Sequence, residues 1–258
     1  MTSVEKSMVG SCEVPDRLLG VFDGALVIHA PRVVPERRAS FERELRSIGI
    51  DRFEIVEAVE TDEQLRQKYD YRRPAFQDSV RALSLLLTLH RAIDRAQSRG
   101  WDSVLLLQDD VIFRKGFAEH WRDVEQQVRK REWDLLYFYR WYFRPIREPR
   151  GKARLVPIDH TLCSHCFGMR SEVFDAYKDV LKSTIAAGEI EDSAVTFELL
   201  REKGFRILAT SRNLAGQGDF ASALSKQGGR AGLREKFQIR VPIWRRLASR
   251  LNLCPEPE

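Results

Sequence analysis

The chain is short of cysteine: Cys12, Cys163, Cys166 and Cys254 are the only four in 258 residues. They are too few and too scattered to staple a fold of this size, so reduced thiols are expected. No apolar run approaches the length of a membrane span, and Met1 to Gly20 lacks the apolar centre of a signal peptide, which points to the cytoplasm. Glycine-rich phosphate loops are absent, as is a G-x-G-x-x-G after the first apolar run, and this excludes a P-loop and a dinucleotide fold of the usual kind. No G-x-S-x-G presents a serine nucleophile. A haloacid-type phosphatase would need a second Asp two residues beyond the first, where this chain has Val111 and Ile112.

What is present is a core-forming globular composition, with 43% hydrophobic residues and enough length for one domain with appendages. The formal net charge of +5 is unevenly placed. Lys226 to Arg250 carries eight basic residues against Glu235 alone; with Glu256 and Glu258 behind it, residues 1 to 225 balance to zero. The excess is thus a C-terminal arm. Within it Leu233, Phe237, Val241, Trp244 and Leu247 recur at helical spacing among arginines, with Pro242 as a break. That pattern suits an anionic membrane surface, or packing back on the core, and nucleic acid less well. A second basic stretch, Arg140 to Arg154, mixes six basic residues with three aromatics and two prolines and reads as a loop.

Apolar patterns predict strands at Ala25–His29, Phe53–Val59, from Val104 up to the acids Asp109-Asp110, Trp133–Tyr139, Leu155–Ile158, Phe167–Met169 and Phe205–Ala209. Between them, helices are predicted over Arg37–Ile48, Ser79–Ser98, Phe117–Arg131, Glu172–Leu181 and Asp192–Lys203. Such alternation argues for an α/β sheet, mostly parallel and flanked by helices. There is no internal repeat and no low-complexity segment.

The most telling stretch is Val104-Leu-Leu-Leu-Gln-Asp109-Asp110-Val111. Consecutive branched apolar residues mark a strand buried on both faces, which places the two acids at its carboxyl end. In open α/β sheets ligands bind at that end, and adjacent carboxylates there suit a divalent cation carrying phosphates. The plain alternative is a charged surface turn. His160, Cys163, His165 and Cys166 lie within seven residues, too close together to wrap a tetrahedral zinc ion, and are expected to be packing residues. His29 and His90 are expected to be packing or surface residues.

The ordered set of segments resembles glycosyltransferase family 25, the lipooligosaccharide and collagen galactosyltransferase type. Residues carrying the likeness are Ala25-Leu-Val-Ile-His29, Pro35-Glu-Arg-Arg38, Ala82-Leu-Ser84, Gln108-Asp-Asp-Val111, Trp133-Asp-Leu-Leu-Tyr137 and His165-Cys-Phe-Gly-Met-Arg170. Glu191-Asp192, Gln217, and Ser222 or Ser225 complete it, over about residues 25 to 225. The chain departs from the family pattern at His29, Leu85 and Gln108, where the family has Asn, His and Glu.

The resemblance implies a GT-A-like domain over residues 23–225, between a tail at 1–22 and the basic arm at 226–258. It implies inverting transfer from a nucleotide-diphospho-sugar, a UDP-sugar above all, to a glycan or glycolipid hydroxyl. Asp192, with Glu191 in reserve, would be the catalytic base, and an N-cap role for Asp192 is compatible with that. Arg37, Asp109, Asp110, His165 and Gln217 would bind the donor, and Asp109 and Asp110 would hold Mn²⁺ or Mg²⁺. Work at the inner membrane face would follow for a lipid-linked acceptor. The rival expectation is a transferase-like protein without chemistry that binds anionic polymers.

Overall fold

The computed structural model describes residues 19–32, 35–71, 79–140, 151–158, 161, 164–188 and 194–218. Expectations about residues 1–18, Glu191, Asp192, His160, Cys163, Ser222, Ser225 and the arm at 226–258 therefore lie outside the described residues.

Seven strands form the central sheet: β1 (Gly24–His29), β2 (Glu54–Glu57), β3 (Ser103–Gln108), β5 (Leu135–Tyr137), β6 (Leu155–Pro157), β7 (Cys166–Arg170) and β8 (Ile207–Thr210). Their order is β2-β1-β3-β7-β5-β8-β6. Five of them share one direction, while β7 and β6 run antiparallel to their neighbours. The expected α/β, mostly parallel sheet is borne out, with β7 reversed at its centre. A small separate ribbon pairs β4 (Val111–Phe113) with β9 (Ala215–Gln217).

Alternation along β3 accounts for its wholly apolar sequence. Val104 and Leu106 join one core with Leu83, Leu86 and Ile93 of α3 (Ser79–Ser98), Phe174 and Tyr177 of α5 (Phe174–Ala187), and Phe197 of α6 (Ala194–Glu202). Leu105 and Leu107 join the opposite core with Phe41 and Leu45 of α1 (Arg37–Ser47) and Trp121 and Val124 of α4 (Phe117–Lys130). A strand between two helical layers has no solvated face and needs no polar residue until its end. Removing any one of these leucines to Ala would cost about 2–5 kcal/mol.

Helix α3 ends where the sequence expects because its C-terminus carries its own signal. Gly100 adopts φ +65°, Gly100 N–H bonds Gln97 O at 2.9 Å and Trp101 N–H bonds Ala96 O at 3.2 Å, the paired closure that a left-handed glycine allows. A short helix α2 (Glu63–Lys68), capped by Asp62 through the Leu65 N–H, was not expected from the sequence, and neither were β4 and β9. Pro157, which cannot donate to a neighbour, sits in the edge strand β6, where a missing donor is tolerated.

Candidate active site

Strand β3 ends at Gln108, and the chain turns through Asp109 and Asp110 into β4. The turn is held at three levels. Asp109 N–H extends the β1 pairing by bonding Ile28 O at 3.1 Å, Gln108 N–H reaches His165 O at 2.9 Å, and Gly218 N–H bonds Asp110 O at 2.7 Å. Both acids are thereby fixed at the carboxyl end of the central strand. They are buried, at 6% and 4% exposure, which is unusual for carboxylates without partners.

Asp109 has its partners. Arg37 Nη1 donates to Oδ1 at 2.7 Å, His29 Nδ1 donates to Oδ2 at 2.7 Å, and the Ala30 N–H approaches Oδ2 at 3.3 Å. Arg37 is the first residue of α1, where a cation opposes the helix dipole; Asp109, with Asp110 at 3.6 Å from the same Nη1, offsets that. Arg37, expected at the donor, is thus 2% exposed and engaged with the acids. His29, expected to be a packing or surface residue, ends β1 beside β3 and belongs to the same cluster. His90 is a surface residue bonded to Asp94 at 3.1 Å.

Asp110 is different. Gln217 Nε2 donates to its Oδ2 at 2.9 Å, fixing the rotamer. Its Oδ1 is buried without a hydrogen-bond partner and faces His165 Nε2 across 3.7 Å, beyond hydrogen-bond reach. His165 lies just before β7, and its ring meets Tyr139 edge to face at 6.3 Å between centroids. Gln108 turns its amide to Ser164, donating to Oγ at 3.0 Å and to O at 3.4 Å.

The structure thus brings together five expected residues, Arg37, Asp109, Asp110, His165 and Gln217, and adds His29 and Ser164. Nothing local pointed to Ser164, and His29 joins the acids only because β1 lies beside β3. Counting the imidazoles as neutral, two carboxylates against one guanidinium leave one negative charge.

Whether these residues fit a divalent cation has a divided answer. Asp109 does not, because both oxygens already accept strong hydrogen bonds. Asp110 does, through an orphaned buried oxygen of the right chemistry. His165 Nε2 is the nearby nitrogen, although its Nδ1 has no hydrogen-bond partner, whereas a metal-bound imidazole normally anchors its second nitrogen. Among the described residues no three His, Cys, Asp or Glu side chains converge as a complete protein shell. One carboxylate with substrate phosphates is the pattern Mg²⁺ commonly accepts.

Cys166 faces the core opposite Leu107, and burial pushes its thiol well above the ordinary range, so it is not a nucleophile. Among the described residues no helix is long and apolar enough to cross a membrane.

No family model matches the chain. No curated protein matches it. A solved structure, mannose-1-phosphate geranyltransferase from Thermus thermophilus, is similar at 17% identity and a TM-score of 0.35, covering 75% of this chain and 75% of that one. A likeness at that level transfers no activity to this chain.

Proposed function

We propose that the chain is a glycosyltransferase that moves a sugar from a nucleotide-diphospho-sugar, a UDP-sugar by preference, to the hydroxyl of a glycan or glycolipid. The observation that carries this reading is Asp110: a buried carboxylate at the carboxyl end of the central strand, held on one oxygen by Gln217 and open on the other. That is the place where α/β sheets meet ligands, and an orphaned buried acceptor there is one that a bound cation would satisfy.

In this reading Asp110, with His165 beside it, would hold Mn²⁺ or Mg²⁺, which supplies positive charge to the diphosphate as it leaves. Arg37 and His29 orient the acid turn by engaging Asp109. The acceptor oxygen forms its bond to the anomeric carbon as the bond to the diphosphate breaks, and the hydroxyl proton passes to the Asp192 carboxylate, giving inversion. Glu191 is the reserve base. The arm at 226–250 is a separate proposal, an anchor to anionic membrane at its inner face.

A panel of nucleoside diphosphates, each with Mn²⁺ and with chelator, tests the reading by thermal shift. A ligand that binds only the native state raises the apparent Tm by mass action. Uridine diphosphate should raise it with Mn²⁺ alone, and Asp110→Asn should lose that response while keeping the unliganded Tm. Equal shifts in wild type and Asp110→Asn would refute the site. The closure of Asp109 by Arg37 and His29 favours a second reading, an anionic-polymer-binding relative without chemistry; a flat panel together with RNA or heparin binding would select it.

A further inference from the structure

Beyond the acid turn, cationic side chains from separate segments gather around residues 211–216 at the other end of the β4–β9 ribbon. Arg140, which follows β5, donates its main-chain N–H to Asn213 Oδ1 at 2.9 Å and its Nη2 to Ser211 O at 2.5 Å. Arg212, between those two residues, donates from Nη1 to Nε2 of His120 on α4 at 3.3 Å. Arg114, which leads into α4, lays its guanidinium over Gly216 of β9: a Cβ there would sit 3.6 Å from Nε.

None of these four has a carboxylate within ion-pair distance among the described residues. On α4 itself, Glu119 is exposed and Asp123 Oδ2 accepts from the Ala153 N–H at 3.2 Å. Three of the cluster's nitrogens are buried with no hydrogen-bond partner: Arg140 Nε, Arg212 Nε and His120 Nδ1. Because a guanidinium can only donate, His120 Nε2 is the acceptor in its contact with Arg212. Its proton therefore sits on Nδ1, and all three orphaned atoms are N–H donors. Arg140, Arg212 and His120 are half-buried and Arg114 is exposed, but the three orphaned N–H groups are themselves shut off from water with no acceptor, against the rule that buried polar groups are hydrogen-bonded.

We propose that this cluster is an anion site, separate from Asp110, that takes a phosphate ester. A phosphate satisfies both deficits at once, supplying the missing negative charge and several acceptor oxygens, and Arg is the side chain best shaped to hold it. A soluble phosphate ester and a phospholipid headgroup share this chemistry. The site stands on its own observations and does not depend on the transferase reading.

Inorganic phosphate in chelator at constant ionic strength is the probe, followed by ³¹P line broadening and by calorimetry; no nucleotide or metal enters the measurement. Wild type and Asp110→Asn should bind alike, and Arg212→Gln and Arg140→Gln should each weaken binding about tenfold, the scale of one charge-assisted hydrogen bond. Arg212→Gln should keep or raise the unliganded Tm, since it removes one of several like charges; a purely structural arginine would lower it. Should Arg140→Gln fail to fold, Arg212→Lys, which keeps the charge but loses the fork, should still weaken binding. Phosphate affinity unchanged in Arg212→Gln, or a wild-type response no larger than that to chloride, would overturn the proposal. Phosphatidylglycerol vesicles that pellet wild type but not Arg212→Gln would place the phosphate on a headgroup. Vesicle binding unaffected while glycerol phosphate binding falls would place it on a soluble ester.

Discussion

Arg37 Nη1 and Asp109 Oδ1 meet at 2.7 Å with both side chains almost wholly out of water. The pair joins the start of α1 to the end of β3, and its strength lies in what each group becomes when alone. Arg37→Met strands a buried carboxylate and should destabilise the fold by about 3–5 kcal/mol. Arg37→Met with Asp109→Leu should recover most of that loss, because two apolar groups replace two charges. Urea unfolding of both variants decides it, and a single variant within about 1 kcal/mol of wild type would show that the pair is not the clamp of the acid turn.

For Asp192, the expected result is a split between binding and chemistry. Asp192→Asn should leave donor affinity intact and lower transfer roughly 100-fold or more, the scale of general-base catalysis. Steady-state kinetics with a UDP-sugar and a glycan acceptor measure it. Affinity falling in step with rate would assign Asp192 to substrate binding or to folding.

Gly168 lies in β7 where a Cβ would come within 2.5 Å of Phe22 Cε1 and 2.8 Å of Cζ. Phe22 is fully buried and stands edge to face with Trp133 at 6.0 Å, so it has little room to withdraw. Gly168→Ala should cost about 1–3 kcal/mol as an overpacked core. Adding Phe22→Leu should make the second change less costly than it is alone, a coupling that a double-mutant cycle reads directly. Strict additivity would remove Phe22 as the cause.

The acid limb of the stability curve should report Glu54. Partial burial would raise its pKa, but hydrogen bonds from Arg95 and Arg99 outweigh that and hold it below the usual 4.5. The native state therefore takes up the proton less readily than the unfolded chain. Its contribution is complete above pH 4.5 and fades as pH falls through the lowered value. Glu54→Gln should be less stable than wild type at neutral pH, with the gap closing on acidification. A gap independent of pH would exclude the ion pairs as its origin.

The sequence carried β3 and its terminal acids openly, because a strand covered on both faces has no reason to be polar until it ends. The limits of α3 were equally plain, since Gly100 and the apolar stripe are local signals. The direction of β7 was not legible: Cys166-Phe-Gly-Met-Arg170 reads the same whichever way it runs, and only its neighbours β3 and β5 reverse it. For the same reason His29 read as a packing residue. Its meeting with Asp109 spans 80 positions and depends on β1 lying beside β3. The three-residue strands β4 and β9 were too short, and Gly216 too uncharacteristic of a strand, to stand out.

The β4–β9 ribbon has a consequence for synthesis. Gln217 and Asp110 are 107 residues apart, so a chain growing from the ribosome exposes the acid turn long before the segment that orients it exists. At roughly 5–20 residues per second, the delay is about 5–20 s. During that interval Asp110 has no fixed rotamer, and its turn lacks the Gly218 N–H and the pairing partner of β4. Asp110 acquires the orientation seen in the folded chain only once residues 215–218 have been made and paired with its turn.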